Sequence, residues 1–280
     1  MALAGSGANV STIEIDGMAV SYHDRGVGEP VLLIPPAAAR ATVWRQHQVP
    51  ALVAAGYRVL TYDLRHTRRS PEHPKPFALI DLVSDAAELI TALGLGPCRL
   101  VGASLGAMIA QELALARPDL VRAACLLGTR GRADGYRSAL GQGYAQAMRA
   151  VGRDTALFEA VASMSQLFGP ATLADEDFVR SWLSAYELFR PGGEGAAAQY
   201  EATIGYDRVN ELRGVRCPCL VVAFGHDVIM PPAEGAAVAK AIPSCRYVEL
   251  PDCGHFGFVE RPGEVNALIT EFFAEGDQRA

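Results

Sequence analysis

The chain is 280 residues long, half of them apolar, with a formal charge of −6 and lysine only at Lys75 and Lys240. That is enough chain for one large core, alone or with an inserted cap. The acidic balance and lack of a basic cluster argue against a nucleic-acid partner. No apolar run is long enough to cross a bilayer, and MALAGSGANV lacks the regions of a secretion signal.

The elements alternate along the chain. STIEIDG and MAVSYHD read as a hairpin turned at Asp16-Gly17. VLLI (31–34) is a short buried strand, and a helix is predicted from about Trp44 to Ala55, ending near Gly56. YRVLTYD (57–63) is a strand, Asp81 to Leu93 a helix, CRLVGA a strand, Leu105 to Arg117 a helix and AACLLG (123–128) a strand. From about Gly131 to Gly205 no convincing strand occurs. YRSALGQGYAQAMRAVG, DTALFEAVASMSQLFG and DEDFVRSWLSAYELF read there as amphipathic helices. The alternation then resumes with CLVVAF (219–224), a helix over Pro232 to Ala241, RYVEL (246–250) and a closing helix over Glu264 to Ala274.

Such alternation predicts an α/β fold with a doubly wound, mostly parallel sheet. The expected core is 1–130 with 206–280, and 131–205 is an inserted helical cap. An insert between strands would lie over the strands' C-terminal edge, where open α/β sheets bind ligands.

The six cysteines (Cys98, Cys125, Cys217, Cys219, Cys245 and Cys253) are spread along the chain. Most sit in or beside strand-like runs, so they read as reduced thiols of a cytoplasmic protein. Cys217-Pro-Cys219 lacks the Cys-x-x-Cys spacing of a zinc site, and no metal is expected.

Gly102-Ala103-Ser104-Leu105-Gly106 fits G-x-S-x-G at a predicted strand–helix junction. Glycines permit the sharp turn that would present the Ser104 hydroxyl at the sheet edge. The plainer reading of Ser104 is a helix N-cap. A neutral hydroxyl needs a base. Of the six histidines, His255 follows the last strand and opens onto the same edge. His23 belongs to the hairpin, His47 to a helix, and His66 and His73 to an Arg/Pro-rich loop; His226 adjoins an acid. The base needs a carboxylate to fix its tautomer. Asp227 leaves the same edge one strand before His255, although a turn-capping role would also suit it. LLGTRG offers no acid, and Asp252 is too close in sequence to reach the far ring nitrogen easily.

Together these residues resemble the α/β-hydrolase superfamily, in its capped esterase and enol-lactonase-like branch. The resemblance runs from VLLIPP to the last helix and is most specific in GASLGAMIAQELALARPDLVRAACLLGT and GHFGFVERPGEV. It implies Ser104 as nucleophile, His255 as base and Asp227 as acid, with no metal or organic cofactor. By position, the N–H groups of Ala37 and Leu105 should form the oxyanion hole.

The sequence departs from the family pattern in three places. Pro35-Pro36 stands where the family has His-Gly, and Pro36 has no N–H to donate. The family's D-x-R-G-H-G-x-S is Asp63-Leu64-Arg65-His66-Thr67-Arg68-Arg69-Ser70, with its glycines gone. That loop reads first as a solvated basic segment, and alternatively as a site for a carboxylate-bearing substrate. Phe224 replaces the glycine usually found three residues before the acid.

The expected activity is hydrolysis of a carboxylic ester, lactone or thioester of a small apolar substrate through an acyl-enzyme. Trp44, Trp182 and Phe256 are candidate substrate contacts, with Phe158, Leu167, Phe168, Tyr186 and Phe189 supplying apolar surface. The same triad would serve an acyl transferase, cyclase, lyase or cofactor-free peroxidase, because fold does not decide reaction. A non-catalytic binding protein is the third reading. The expected partner is a small molecule, with no membrane role, and the chain is read as a monomer or homodimer.

Overall fold

A computed structural model describes residues 10–65, 67, 76–150, 156–189 and 192–277. Ser11–Ile15 (β1) and Met18–Arg25 (β2) form the expected hairpin, turned by Asp16 (φ 50°) and Gly17 (φ 72°). Positive φ at both turn residues matches the twist of the flanking strands. The other strands are Pro30–Ile34 (β3), Arg58–Tyr62 (β4), Cys98–Ala103 (β5), Val121–Leu127 (β6), Cys219–Phe224 (β7) and Cys245–Leu250 (β8). The sheet order is β1-β2-β4-β3-β5-β6-β7-β8. β2 runs antiparallel to β1 and β4, and every later pairing is parallel.

Helices cover both faces. Gln48–Ala54 (α1) lies on one face, and Leu79–Ala92 (α2) and Leu105–Ala116 (α3) on the other. The inner strands are apolar nearly throughout because both sides are buried: Leu32 and Ile34 of β3 face α2 and α3, and Val31 and Leu33 face α1. The predicted helix from Trp44 is shorter than expected. Ala41–Trp44 is a 3-10 turn, and α1 begins only at Gln48. Pro50 explains the break. Its ring would clash with the carbonyl four residues back in a continuous helix, whereas the first turn tolerates it.

The segment between β6 and β7 contains, among the described residues, five α-helices, Gly135–Arg149 (α4), Ala156–Leu167 (α5), Pro170–Leu173 (α6), Glu176–Phe189 (α7) and Glu194–Glu201 (α8), and a 3-10 turn at Glu211–Gly214. Three coincide with the predicted amphipathic segments. α6 and α8 have only 4 and 8 residues and carry too few turns for periodicity to show. An isolated bridge between Arg132 and Asp207 ties the two ends of the insert together. Pro232–Ala241 (α9), Gly257–Glu260 (α10) and Pro262–Asp277 (α11) complete the core. Among the described residues no helix is long and apolar enough to cross a membrane. All six cysteines are free thiols, and burial pushes Cys98 up to about 12.

The approach of α3 to β3 positions everything that follows. A Cβ on Gly106 would lie 2.1 Å from the Ile34 carbonyl oxygen and 2.8 Å from that of Pro35. β3 is hydrogen-bonded on both sides and has no room to retreat. Gly106→Ala should therefore cost about 4 kcal/mol or more, read as a lowered denaturant midpoint or loss of soluble protein. An unchanged midpoint would mean that helix and strand do not meet this closely.

Candidate active site

Ser104 occupies the bend between β5 and α3 with φ 56° and ψ −119°. Side chains rarely adopt that conformation, and a residue held there carries about 1–3 kcal/mol of strain. The surroundings impose it. Ser104 N–H donates to Leu127 O at 2.9 Å, and Ser104 O already accepts from Ala107 and Met108 of α3. Gly102 is required below it, because a Cβ there would sit 2.1 Å from Gly106 O. The Ser104 side chain makes no cap bond to its own helix; the N-cap reading does not describe it.

The hydroxyl instead meets His255, whose Nε2 lies 2.8 Å from Ser104 Oγ. Nδ1 of the same ring lies 2.6 Å from Asp227 Oδ2. Asp227 is 3% exposed and His255 4% exposed, so the carboxylate–imidazole contact is shielded from water. The second carboxylate oxygen, Oδ1, accepts from the N–H groups of Ile229 (2.8 Å) and Met230 (2.7 Å), which fixes the carboxylate plane. The loops after β7 and β8 are laced together: Gly225 N–H donates to Leu250 O and His226 N–H to Cys253 O. The Phe224 departure is absorbed by the core, where the ring is fully buried, and Asp227 N–H donates to Phe224 O. Asp252 is exposed and His226 turns to solvent.

Gly128, at the end of β6, was not singled out from sequence. Its φ is +55°, and a Cβ there would lie 3.3 Å from Asp227 Oδ2 and 3.5 Å from His255 Nδ1. Where β6 offers no acid, it offers space for the acid of β7.

Ala37 follows β3 beside the start of α3, because Ile34 and Pro35 abut Gly106. Among the described residues neither Ala37 N–H nor Leu105 N–H finds a protein acceptor. Two unclaimed donors thus flank the serine turn. The next residue, Ala38, has φ 59° and donates its N–H to Gln199 Oε1 at 2.7 Å.

The insert is bound to the loops of this same edge. Phe256 N–H donates to Leu167 O at 2.8 Å. Glu260 accepts from Gly254 N–H at 2.6 Å and from Gly169 N–H at 2.9 Å, joining the His255 loop to the turn between α5 and α6. On α4, Tyr144 donates to Gln166 and stacks on Tyr200 at 4.8 Å. Burial, and secondarily nearby groups including Asp227, raise the Tyr144 phenol and keep it neutral.

The three aromatic candidates fall on one continuous chain of edge-to-face and tilted ring contacts. Phe168 meets Trp182 at 4.7 Å, Trp182 meets Phe256 at 6.2 Å, Phe256 meets Phe258 at 5.1 Å, and Phe258 meets Trp44 at 4.9 Å. Trp44 is wholly buried, with its ring packed on Phe258. Trp182 and Phe256 are largely spent on packing the insert against the His255 loop. Phe158 is 76% exposed. Of the altered loop, Arg65 is held by Asp85, with one bond of 2.7 Å, and Asp63 accepts from Ala41 N–H. His66, Arg68, Arg69, Ser70 and His73, and the side chain of Phe189, lie outside the described residues. Among the described residues no group of three or more His, Cys, Asp or Glu could hold a metal ion.

Comparison with known proteins agrees with this architecture. The family model described as the alpha/beta hydrolase fold matches residues 29–262. The Mycobacterium tuberculosis protein named as a non-heme bromoperoxidase, BpoC, is 37% identical over 256 residues, covering 91% of this chain and 97% of its own. Its crystal structure superimposes with a TM-score of 0.86, covering 92% and 97% of the two chains. A protein of Azorhizobium caulinodans named as the carbamate hydrolase RutD is 28% identical over 258 residues, covering 92% of this chain and 96% of its own. The enol-lactonase of Burkholderia xenovorans LB400 shares the fold, with a TM-score of 0.81 at 24% identity, covering 94% and 100% of the chains.

Proposed function

Because the chain belongs to the α/β-hydrolase family, we propose that it is a serine hydrolase that cleaves a carboxylic ester, lactone or thioester of a small apolar substrate. The observation that carries this is the relay Ser104 Oγ, His255 Nε2, His255 Nδ1, Asp227 Oδ2, with contacts of 2.8 and 2.6 Å. Ser104 attacks the acyl carbonyl as His255 takes its proton at Nε2. Asp227 holds the ring and stabilises its cationic form. The Ala37 and Leu105 N–H groups receive the oxyanion. His255 then protonates the leaving group and activates water to release the acid. The insert acts as a cap over the site, and Trp182 and Phe256 border the substrate space.

The name of the BpoC relative favours a second reading: a cofactor-free peroxidase that hands its acyl group to peroxide rather than to water. Both readings share the acyl-enzyme and differ only in what attacks it. Product analysis on an aryl ester separates them. The hydrolase reading expects free acid to dominate even with methanol or hydrogen peroxide added. A peracid as main product would move the second reading forward, and a methyl ester would mark an acyl transferase instead.

A further inference from the structure

We propose that Gln199 is a positioning residue for the oxyanion hole, a link from the insert to the catalytic machinery. This rests on the serine-hydrolase reading above. Gln199 lies on α8 and is 0% exposed. Its Oε1 accepts from Ala38 N–H at 2.7 Å. Its Nε2 donates to Arg65 O at 2.9 Å and to Thr67 Oγ1 at 3.2 Å. One buried amide therefore joins the loops after β3 and β4 and the insert.

The chemistry of the partners orients that amide. Ala38 N–H needs an acceptor and the Arg65 carbonyl needs a donor, so only one face of the amide serves each. Thr67 Oγ1 spends its own proton on Leu64 O at 2.6 Å, leaving a lone pair for Gln199. All the polar atoms of the side chain are thus engaged.

What Gln199 holds is a strained residue. Ala38 has φ 59°, a region that favours glycine, and its N–H has no other acceptor among the described residues. Without Gln199 the buried N–H loses its partner, and the residue is free to return to an ordinary conformation. That rotation moves the peptide next to Ala37, whose N–H is the oxyanion donor. Oxyanion stabilisation depends on donors being fixed beforehand at the right distance. Gln199 touches no reacting atom; it acts through Ala38 and Ala37.

The test uses 4-nitrophenyl acetate and its thiono counterpart, in which sulfur replaces the carbonyl oxygen. An intact hole favours the oxygen ester, because sulfur accepts these hydrogen bonds poorly. The readout is the kcat ratio of the two esters, which a change in cap packing alone would not move. Gln199→Met keeps the volume and removes all three bonds. It should lower kcat on the oxygen ester about 10- to 100-fold, leave KM within about threefold, and shrink the ratio. Gln199→Glu keeps an acceptor for Ala38 but cannot donate to Arg65, so its ratio should be intermediate; it carries the test where the Met variant does not fold. Adding Ala38→Gly, which accepts positive φ without strain, should restore part of kcat to Gln199→Met. A ratio equal to that of the native chain in whichever variant folds would overturn the proposal. A native chain with no turnover and no reactive Ser104 would instead overturn the hydrolase reading, and the positioning role with it.

Discussion

Ser104→Ala should lower kcat on an activated ester about 10⁶-fold, with little change in KM. The size follows from what the side chain does. Its Oγ is the atom that His255 Nε2 approaches at 2.8 Å, and nothing else in the turn can take its place. The substitution removes one oxygen and leaves φ at 56° occupied by another residue with a Cβ, so the elbow keeps its strain and its backbone bonds. Stability should consequently stay close to that of the native chain, and steady-state kinetics on folded protein reads the chemical step alone. Any residual rate reports the oxyanion donors and binding. A loss below tenfold would return Ser104 to the role of a turn residue.

Asp227→Asn should cost about 10⁴ in kcat for a different reason. The amide oxygen can still accept from Ile229 and Met230 N–H, so the loop should survive. The amide nitrogen then faces His255 Nδ1 and donates to it. That forces the ring proton onto Nε2, where it points at Ser104 instead of leaving room for the Ser104 proton. Kinetics beside Asp252→Asn makes the comparison, because Asp252 is exposed and its variant should behave as the native chain does. Equal losses at both positions would contradict the assignment of the acid to β7.

The fold was legible because its signals are local and repeated. β7 over Cys219–Phe224 and α9 over Pro232–Ala241 have the boundaries that strand-like and helical spacing predicted. The placement of Ser104, His255 and Asp227 on one sheet edge was legible for another reason: glycines, apolar runs and chain order put all three at strand ends. Their meeting at 2.8 and 2.6 Å is a property of the folded sheet.

What escaped lies where the constraint is spatial. Gly128 looks like any strand-terminal glycine until Asp227 and His255 are found against it. Gln199 sits in EGAAAQYE, a short alanine-rich helix whose sequence says nothing about the two loops it joins. Trp44 is a further case: its ring packs on Phe258 in the core, a contact that no local pattern announces. Pro35-Pro36 suggested a changed oxyanion loop. In the structure the neighbouring Ala38 takes a positive φ and is held by a side chain from the insert.

Covalent labelling reads the activation of Ser104 as a nucleophile without any knowledge of the substrate. The purified protein is treated with a fluorophosphonate, and the adduct is mapped by mass spectrometry. One stoichiometric adduct on Ser104 is expected, absent in Ser104→Ala and formed far more slowly in His255→Ala. No adduct on folded protein, or labelling that His255→Ala leaves unchanged, would contradict that activation.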